Sequence, residues 1–284
     1  MKKLILIALL AGWGHSFAQK TGNALEYKQH INKQFTLQKA AAGSVLALYN
    51  VFGDVKLEGY SGNQVMIEVE ATIRSNKAED LEIAKRDFKA GFDQKADSII
   101  VYTAAPYDTR PNKDNNHTKR NYMIKLDYTV KIPNNMNIKV ATVNSGEVIV
   151  KDVYGTINAS NVNGPINIVN AKGTTYTNTV NGNITASYLA VPAEGSNYKT
   201  VNGKVEVTYP ATLSADLQLK SFHGEFYTDF TNTEKRPVEV IKTVGKKDNT
   251  TTYSINKNTK IRVGNGGKLF KFETLNGNIY IKKS

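Results

Sequence analysis

The chain has 284 residues, with 37 Lys+Arg against 25 Asp+Glu for a formal charge of +12, 40% hydrophobic and 22% charged residues, 7 prolines and no cysteine. This is the composition of a folded chain and excludes a disordered tail, a collagen-like fibre and a polytopic membrane protein. Without cysteine there is no disulfide framework, thiolate metal site, cysteine nucleophile or lipidated N-terminal cysteine.

Residues 1–18 have the pattern of a secretory signal peptide. Lys2 and Lys3 open it, Leu4 to Leu10 form its apolar centre, and Ser16 and Ala18 are small residues placed for a cut before Gln19. Gly12, Gly14 and His15 interrupt the apolar run well short of the roughly 20 residues that a membrane helix needs. Cleavage removes two lysines and leaves 35 basic against 25 acidic residues, or +10. No later stretch is long and apolar enough to be a transmembrane anchor. The mature product is expected to be exported, to the periplasm, the cell surface or the exterior. Its positive charges are interspersed with acidic residues, which favours anionic glycans or lipid head groups over nucleic acid as partners.

Residues 19–140 are expected to form an N-terminal β region, probed early by Gly53 with Val51, Val55 and Leu57 around it. One helix near 76–90 interrupts it. Asn76 and Glu79 have capping-box spacing, and Ala78, Leu81, Ala84, Lys85 and Phe88 fall on one face, so the helix should cap an end of the β structure. The segment near 105–121, with two prolines, four asparagines, Arg110, Lys113, Lys119 and Arg120, predicts an exposed loop.

Residues 141–284 carry the strongest signal, an internal repeat. Gly146, Gly155, Gly164, Gly173 and Gly182 are spaced by nine, and Gly203 and Gly224 follow at spacings of 21. Val153, Val162, Val180, Val201 and Phe222 lie two before a glycine; Ile157, Ile166, Ile184, Val205 and Phe226 lie two after; Ala159, Ile168, Ala186 and Val207 lie four after. Gly277 repeats the pattern with Leu275, Ile279 and Ile281. Asn163, Asn181, Asn202 and Asn276 directly precede glycine, and Asn144-Ser145-Gly146 is a near relative, so the fuller repeat is 18 residues, later stretched to 21.

Such alternation means strands with one buried face. Asn-Gly is also a hairpin signal, but a two-residue turn at Asn163-Gly164 would set Val162 opposite Pro165, and the other copies would likewise pair apolar with polar. If the chain instead runs on through glycine, the apolar residues before and after it all point inward and successive copies stack in columns. The asparagines would then join a hydrogen-bonded ladder. The expected fold is all-β, a β-solenoid of single-stranded β-helix type with coils of 18–21 residues and one short capping helix, continuous with the N-terminal β region. The polar stretches Thr231 to Pro237 and Gly245 to Thr252 flank a short strand at Val238 to Val244, and 53 residues separate Gly224 from Gly277.

The Val-Asn-Gly-x-Ile-x-Ile/Ala repeats, the opening Phe35-Thr36-Leu37 strand and Val130-Lys131-Ile132-Pro133 before the repeats resemble the putative-adhesin domain family of bacterial exported proteins. The resemblance runs from about residue 33 to the C-terminus. It implies a right-handed β-helical solenoid and an adhesin-like role, through a structural repeat that marks fold far better than activity. Phe222-His223-Gly224 and the threonines after Gly173 depart from the pattern.

The sequence carries little catalytic chemistry. His30, His117 and His223 have no neighbour at metal-ligand spacing, and no calcium-roll aspartate follows the glycines, so no metal or cofactor is expected. Glu147, Asp152, Glu194, Glu206, Asp216, Glu225 and Asp229 are the carboxylates of residues 141–230; Glu206 with Glu225 or Asp229 is the closest pair by repeat position, and Lys204 beside Glu225 suggests an ion pair between coils. The expectation is therefore a non-enzymatic recognition module that meets a glycan or an envelope or host protein through one flat face. Tyr154, Tyr176, Tyr227 and Tyr280 are its candidate contact residues, since aromatic rings stack on sugars. A periplasmic scaffold or sensor and a carbohydrate-active β-helix enzyme are the alternatives.

Overall fold

The computed structural model describes residues 24–113, 120–237, 240–244, 251–255 and 258–284. The signal-peptide segment 1–18, His117 and the stretch 245–250 lie outside the described residues. The N-terminal part holds β1 (Leu25–Thr36), β2 (Val45–Tyr49), β3 (Val55–Tyr60), β4 (Gln64–Ser75), α1 (Ala78–Asp87), β5 (Lys89–Gln94), β6 (Ser98–Ala105) and β7 (Tyr122–Pro133). The repeat region follows as β8 (Asn137–Ala141), β9 (Val148–Lys151), β10 (Ile157–Ser160), β11 (Ile166–Ala171), β12 (Thr175–Asn178), β13 (Ile184–Tyr188), β14 (Asn197–Lys199), β15 (Val205–Tyr209), β16 (Ala215–His223) and β17 (Phe226–Thr228). The chain closes with β18 (Thr233–Arg236), β19 (Val240–Val244), β20 (Thr251–Ile255), β21 (Thr259–Val263), β22 (Leu269–Asn276) and β23 (Ile279–Lys283).

These strands build an all-β structure of two large mixed sheets. Sheet A has the order β1-β4-β7-β3-β9-β11-β13-β15-β23-β17, and sheet B the order β18-β21-β16-β22-β14-β12-β10-β8-β2-β6-β5. From β8 to β17 the chain alternates between the sheets, and from β8 to β15 each strand pairs in parallel with the equivalent one a repeat away. Ile166 faces Val148 and Ile184, and Ile184 faces Val205, in sheet A; Ile157 faces Ile138 and Thr175 in sheet B. One strand from each sheet makes a rung. The Asn-Gly dipeptides are corners between sheets, and their asparagines bridge in parallel, which excludes hairpins there.

Two rungs sit out of chain order. At the C-terminal end β22 and β23 lie between the β14–β15 rung and the β16–β17 rung, although they come last in the chain. At the other end the β2–β3 rung lies between β6–β7 and β8–β9. The step from Gly224 to Gly277 is thus a return to an inner position, and the segment between them supplies β18 and β21, which pair antiparallel along the edge of sheet B, and the separate β19–β20 hairpin. The polar stretch 231–237 contains β18, which pairs along β21.

Inward residues form one continuous core. Columns such as Val148, Ile166, Ile184, Val205 and Ile279 are fully buried. The change from 18 to 21 residues has a packing cause: the later rungs enclose aromatic side chains. Tyr188 stacks on Tyr209 at 5.0 Å and Tyr198 on Phe272 at 5.1 Å, where the earlier rungs hold Ala159, Thr175 and Thr177. The longer connections 189–196 and 210–214 enclose that wider interior. The three tyrosines are linked through their hydroxyls, Tyr188 to Tyr198 at 2.5 Å and Tyr198 to Tyr209 at 3.1 Å, so no phenol among them is buried without a partner.

The helix forms one residue later than its capping signal. Its N-cap is Lys77, which makes no side-chain cap, and the Ser75 hydroxyl accepts the Lys77 N–H in place of the expected Asn76–Glu79 box. Acidic Glu79 and Asp80 in the first turn and basic Lys85 and Arg86 in the last suit the helix dipole. Leu81, Ala84 and Phe88 enter the core against β1, β4 and β7, whereas Ala78 is exposed. The helix thus packs across β4, β1 and β7 of sheet A.

Candidate recognition surface

The Asn-Gly corner sorts its side chains differently from the sequence expectation. The residue three before glycine points in: Asn161, Thr179, Thr200 and Thr274 are buried, as is Thr142 ahead of Ser145-Gly146. Each donates to the glycine carbonyl of the neighbouring rung. Thr179 Oγ1 reaches Gly164 O at 3.0 Å, Thr200 reaches Gly182 at 2.8 Å, Thr274 reaches Gly203 at 2.9 Å, and Asn161 Nδ2 reaches Gly146 at 2.9 Å. The corner carbonyls turn inward and need a donor, which an apolar side chain does not supply.

The residue two before glycine is therefore turned outward at these corners, and the expected inward valines are corrected. Val180 is 39% exposed, Leu275 45% and Phe222 75%, with Val143, Val162 and Val201 half-buried. Val153, at the opposite corner before Gly155, does point in. In spatial order Val143, Val162, Val180, Val201, Leu275 and Phe222 make an apolar ridge across six rungs, about 24 Å at the usual strand spacing.

Beside the ridge runs the asparagine ladder. Asn163 Nδ2 donates to Asn144 Oδ1 at 2.9 Å, Asn181 to Asn163 at 2.8 Å, Asn202 to Asn181 at 2.7 Å and Asn276 to Asn202 at 2.6 Å. Ser145 takes a left-handed φ of 52°, absorbing the extra residue that keeps Asn144 in line. Glycine is required next to the ladder because the rungs approach closely. A Cβ on Gly164, Gly182 or Gly203 would lie 2.0–2.1 Å from the glycine carbonyl oxygen of the adjacent rung, and Gly146, Gly224 and Gly277 are equally confined. Gly155 and Gly173 play the same part at the opposite corner, where a Cβ would meet backbone at 2.4 and 2.0 Å.

The four candidate tyrosines do not share one face. Tyr176, 45% exposed on sheet B, lines a shallow groove of about 420 Å³ with Asn178, Val180, Asn197, Lys199 and Val201, directly against the ridge. Tyr227 and Tyr280 are neighbours on sheet A, stacked at 5.0 Å, and Tyr227 donates to Glu225. That carboxylate raises the Tyr227 phenol above its ordinary value. Tyr154 sits at the opposite corner with the Lys172 ammonium 3.9 Å from its ring centre.

The carboxylates are arranged as ion pairs. Glu206 accepts from Lys204 at 2.7 Å and Lys282 at 2.6 Å, and these two cations hold it below the ordinary glutamate value. The expected Lys204–Glu225 pair does not form. With β23 interposed, Glu206 faces Tyr280, and Glu225 belongs to the rung beyond. Asp216 is held low by a two-point contact with Arg262 at 2.8 and 3.1 Å. His30 is bonded to Glu70, and the rings of Phe222 and His223 meet edge to face. Among the described residues no group of three or more His, Asp or Glu side chains could hold a metal, and no helix is long and apolar enough to cross a membrane.

The class defined by this geometry is an all-β protein of two large mixed sheets with a patterned outer corner. No family model matches the chain, and no curated protein does. Three solved structures are similar to it. A candidate cell-adhesion protein from Clostridium sporogenes is 10% identical, with 90% of this chain and 100% of that one covered and a TM-score of 0.37. A candidate adhesin from Bacteroides fragilis is 10% identical, with 90% and 97% covered and a TM-score of 0.34. A candidate lipid-binding protein from Parabacteroides distasonis is 8% identical, with 90% and 96% covered and a TM-score of 0.27. At these values the likenesses carry no functional weight.

Proposed function

We propose that this chain is an exported, non-enzymatic, adhesin-like recognition module, a right-handed β-solenoid that meets a glycan or protein surface along its Asn-Gly corner. The observation that supports this reading is the outward apolar ridge. Folding needs the Thr and Asn side chains three before glycine, because they satisfy corner carbonyls; it gives no reason for an apolar side chain at the next position on every rung. A contiguous exposed apolar strip with polar neighbours is the usual form of a contact surface. Tyr176, Asn178 and Lys199 add an aromatic face and hydrogen-bonding groups to its middle.

The test compares the purified mature chain with a Val180→Thr/Leu275→Ser/Phe222→Ser variant for binding to intact source cells and to a glycan array. Retention is expected to fall at least about tenfold while the melting temperature holds, because these side chains already face solvent. Equal binding by both proteins would overturn the assignment of the ridge. Protease accessibility on intact and opened cells then separates a surface module, digested on intact cells, from a periplasmic scaffold.

A further inference from the structure

Sheet A ends in a long free strand. β1 pairs with β4 along all 12 of its residues, and its other edge meets no strand among the described residues. Its polar face is tied to that partner by Arg74, which bonds Glu26 at 2.6 Å, and by Gln34, which bonds Gln64 at 2.6 Å, while Lys28 pairs with Glu26 along β1 itself at 3.0 Å. Its inner face carries Tyr27, Ile31 and Phe35, each only half-buried. Below them a groove of about 570 Å³ opens between β1 and β5, with Phe88 and Phe92 on its far wall.

We propose that β1 is a homodimerisation edge, to which a second copy of this chain adds its own β1 antiparallel, with Ile31 opposite Ile31 on the two-fold axis. The strand sequence sets the register. With Ile31 on the axis, Tyr27 faces Phe35 of the second copy, Gln29 faces Lys33, Glu26 faces Thr36, Lys28 faces Gln34 and His30 faces Asn32. Tyr27, Ile31 and Phe35 then each meet an apolar residue, and no two like charges are opposed. Moving the axis to His30 sets Tyr27 against Lys33 and Ile31 against Gln29; moving it to Asn32 sets Ile31 against Lys33 and Phe35 against Gln29. Registers centred between residues put the inner face of one strand against the polar face of the other. Cross-strand pairs of this kind stabilise antiparallel edges, and an isologous contact closes at two copies. The opposite end of sheet A is the three-residue β17, and the edges of sheet B are the four-residue β18 and six-residue β5, so among the described residues neither sheet has a second edge as long as β1 through which to extend into a fibre.

The test is the oligomeric state of the mature full chain by light scattering, with wild type expected to be dimeric. Ile31→Lys and Ile31→Glu each place like charges face to face and should weaken self-association by at least ~10-fold. An equimolar mixture of the two should recover the dimer, which a folding defect would not do. In this cysteine-free chain Ile31→Cys should also form an intermolecular disulfide on mild oxidation, whereas Asn32→Cys, facing His30, should lag at least ~10-fold behind. A monomeric wild type at the highest soluble concentration would overturn the proposal. So would a dimer indifferent to both charges, a mixture that stays monomeric, or equal crosslinking at both positions.

Discussion

The interior of the Asn-Gly corner leaves no room for one more carbon atom. Gly182→Ala would bring a methyl group to 2.1 Å from the Gly164 carbonyl oxygen, and the rungs would have to part to admit it. A loss of about 3 kcal/mol is expected, read as a lower midpoint in urea. The titratable side chains give two further expectations. Glu206 is held low by Lys204 and Lys282, so its contribution is present above the ordinary glutamate value and is lost as pH falls through the depressed folded one. The melting-temperature gap between wild type and Glu206→Gln should accordingly be wider at neutral pH than in strong acid. For Tyr128, Tyr188, Tyr198 and Tyr209 the sign reverses. Burial raises each phenol, so their contribution is present below the ordinary tyrosine value and is lost as pH rises above it. Ultraviolet titration should show these four ionising only together with alkaline unfolding.

Individual elements depend on neighbours for their stability. Helix α1 has ten residues, no side-chain cap and only Leu81 and Ala84 buried within its span, so it is held by packing on β4 and β1 rather than by its own propensity. Leu81→Ala is expected to cost about 2 kcal/mol and to raise hydrogen exchange in β1 as well as in the helix. The repeated strands were largely legible from sequence, because period two around a fixed glycine leaves few other solutions. Their parallel register and the asparagine ladder followed from the same argument. What misled was the corner. Thr179, Thr200 and Thr274 already recur three before glycine, yet hydrophobicity alone gives the buried place to the valines one residue later; only the demand of the corner carbonyls reverses that choice. Of the candidate tyrosines, Tyr176 and Tyr227 are exposed as expected and Tyr154 and Tyr280 are half-buried; that Tyr227 and Tyr280 are neighbours was not legible, since they meet only because β23 is interposed.

At the scale of the whole molecule, the last strands complete an inner rung and not an end cap. Deleting residues 265–284 would remove β22 and β23 from between the β14–β15 and β16–β17 rungs. Both flanking rungs should then lose hydrogen-exchange protection, while β8 to β11 keep theirs. If instead both flanking rungs kept their protection, the interposed arrangement would be wrong. Spacing along the sequence could not show this order, because a rung stacked next in line and one inserted later leave the same periodic signature.

That insertion also sets a timetable for the growing chain. A protein emerging from its N-terminus can lay down β8 to β15 rung by rung, each new turn resting on the one before. Residues 215–228 then arrive before their seat exists and must wait, tethered, through some forty residues of chain until 269–283 fill the space. The final strands act as a keystone. A prematurely ended copy would carry open strand edges on both sides of a gap, a defect that marks it for capture by chaperones or proteases before it can be mistaken for the finished molecule.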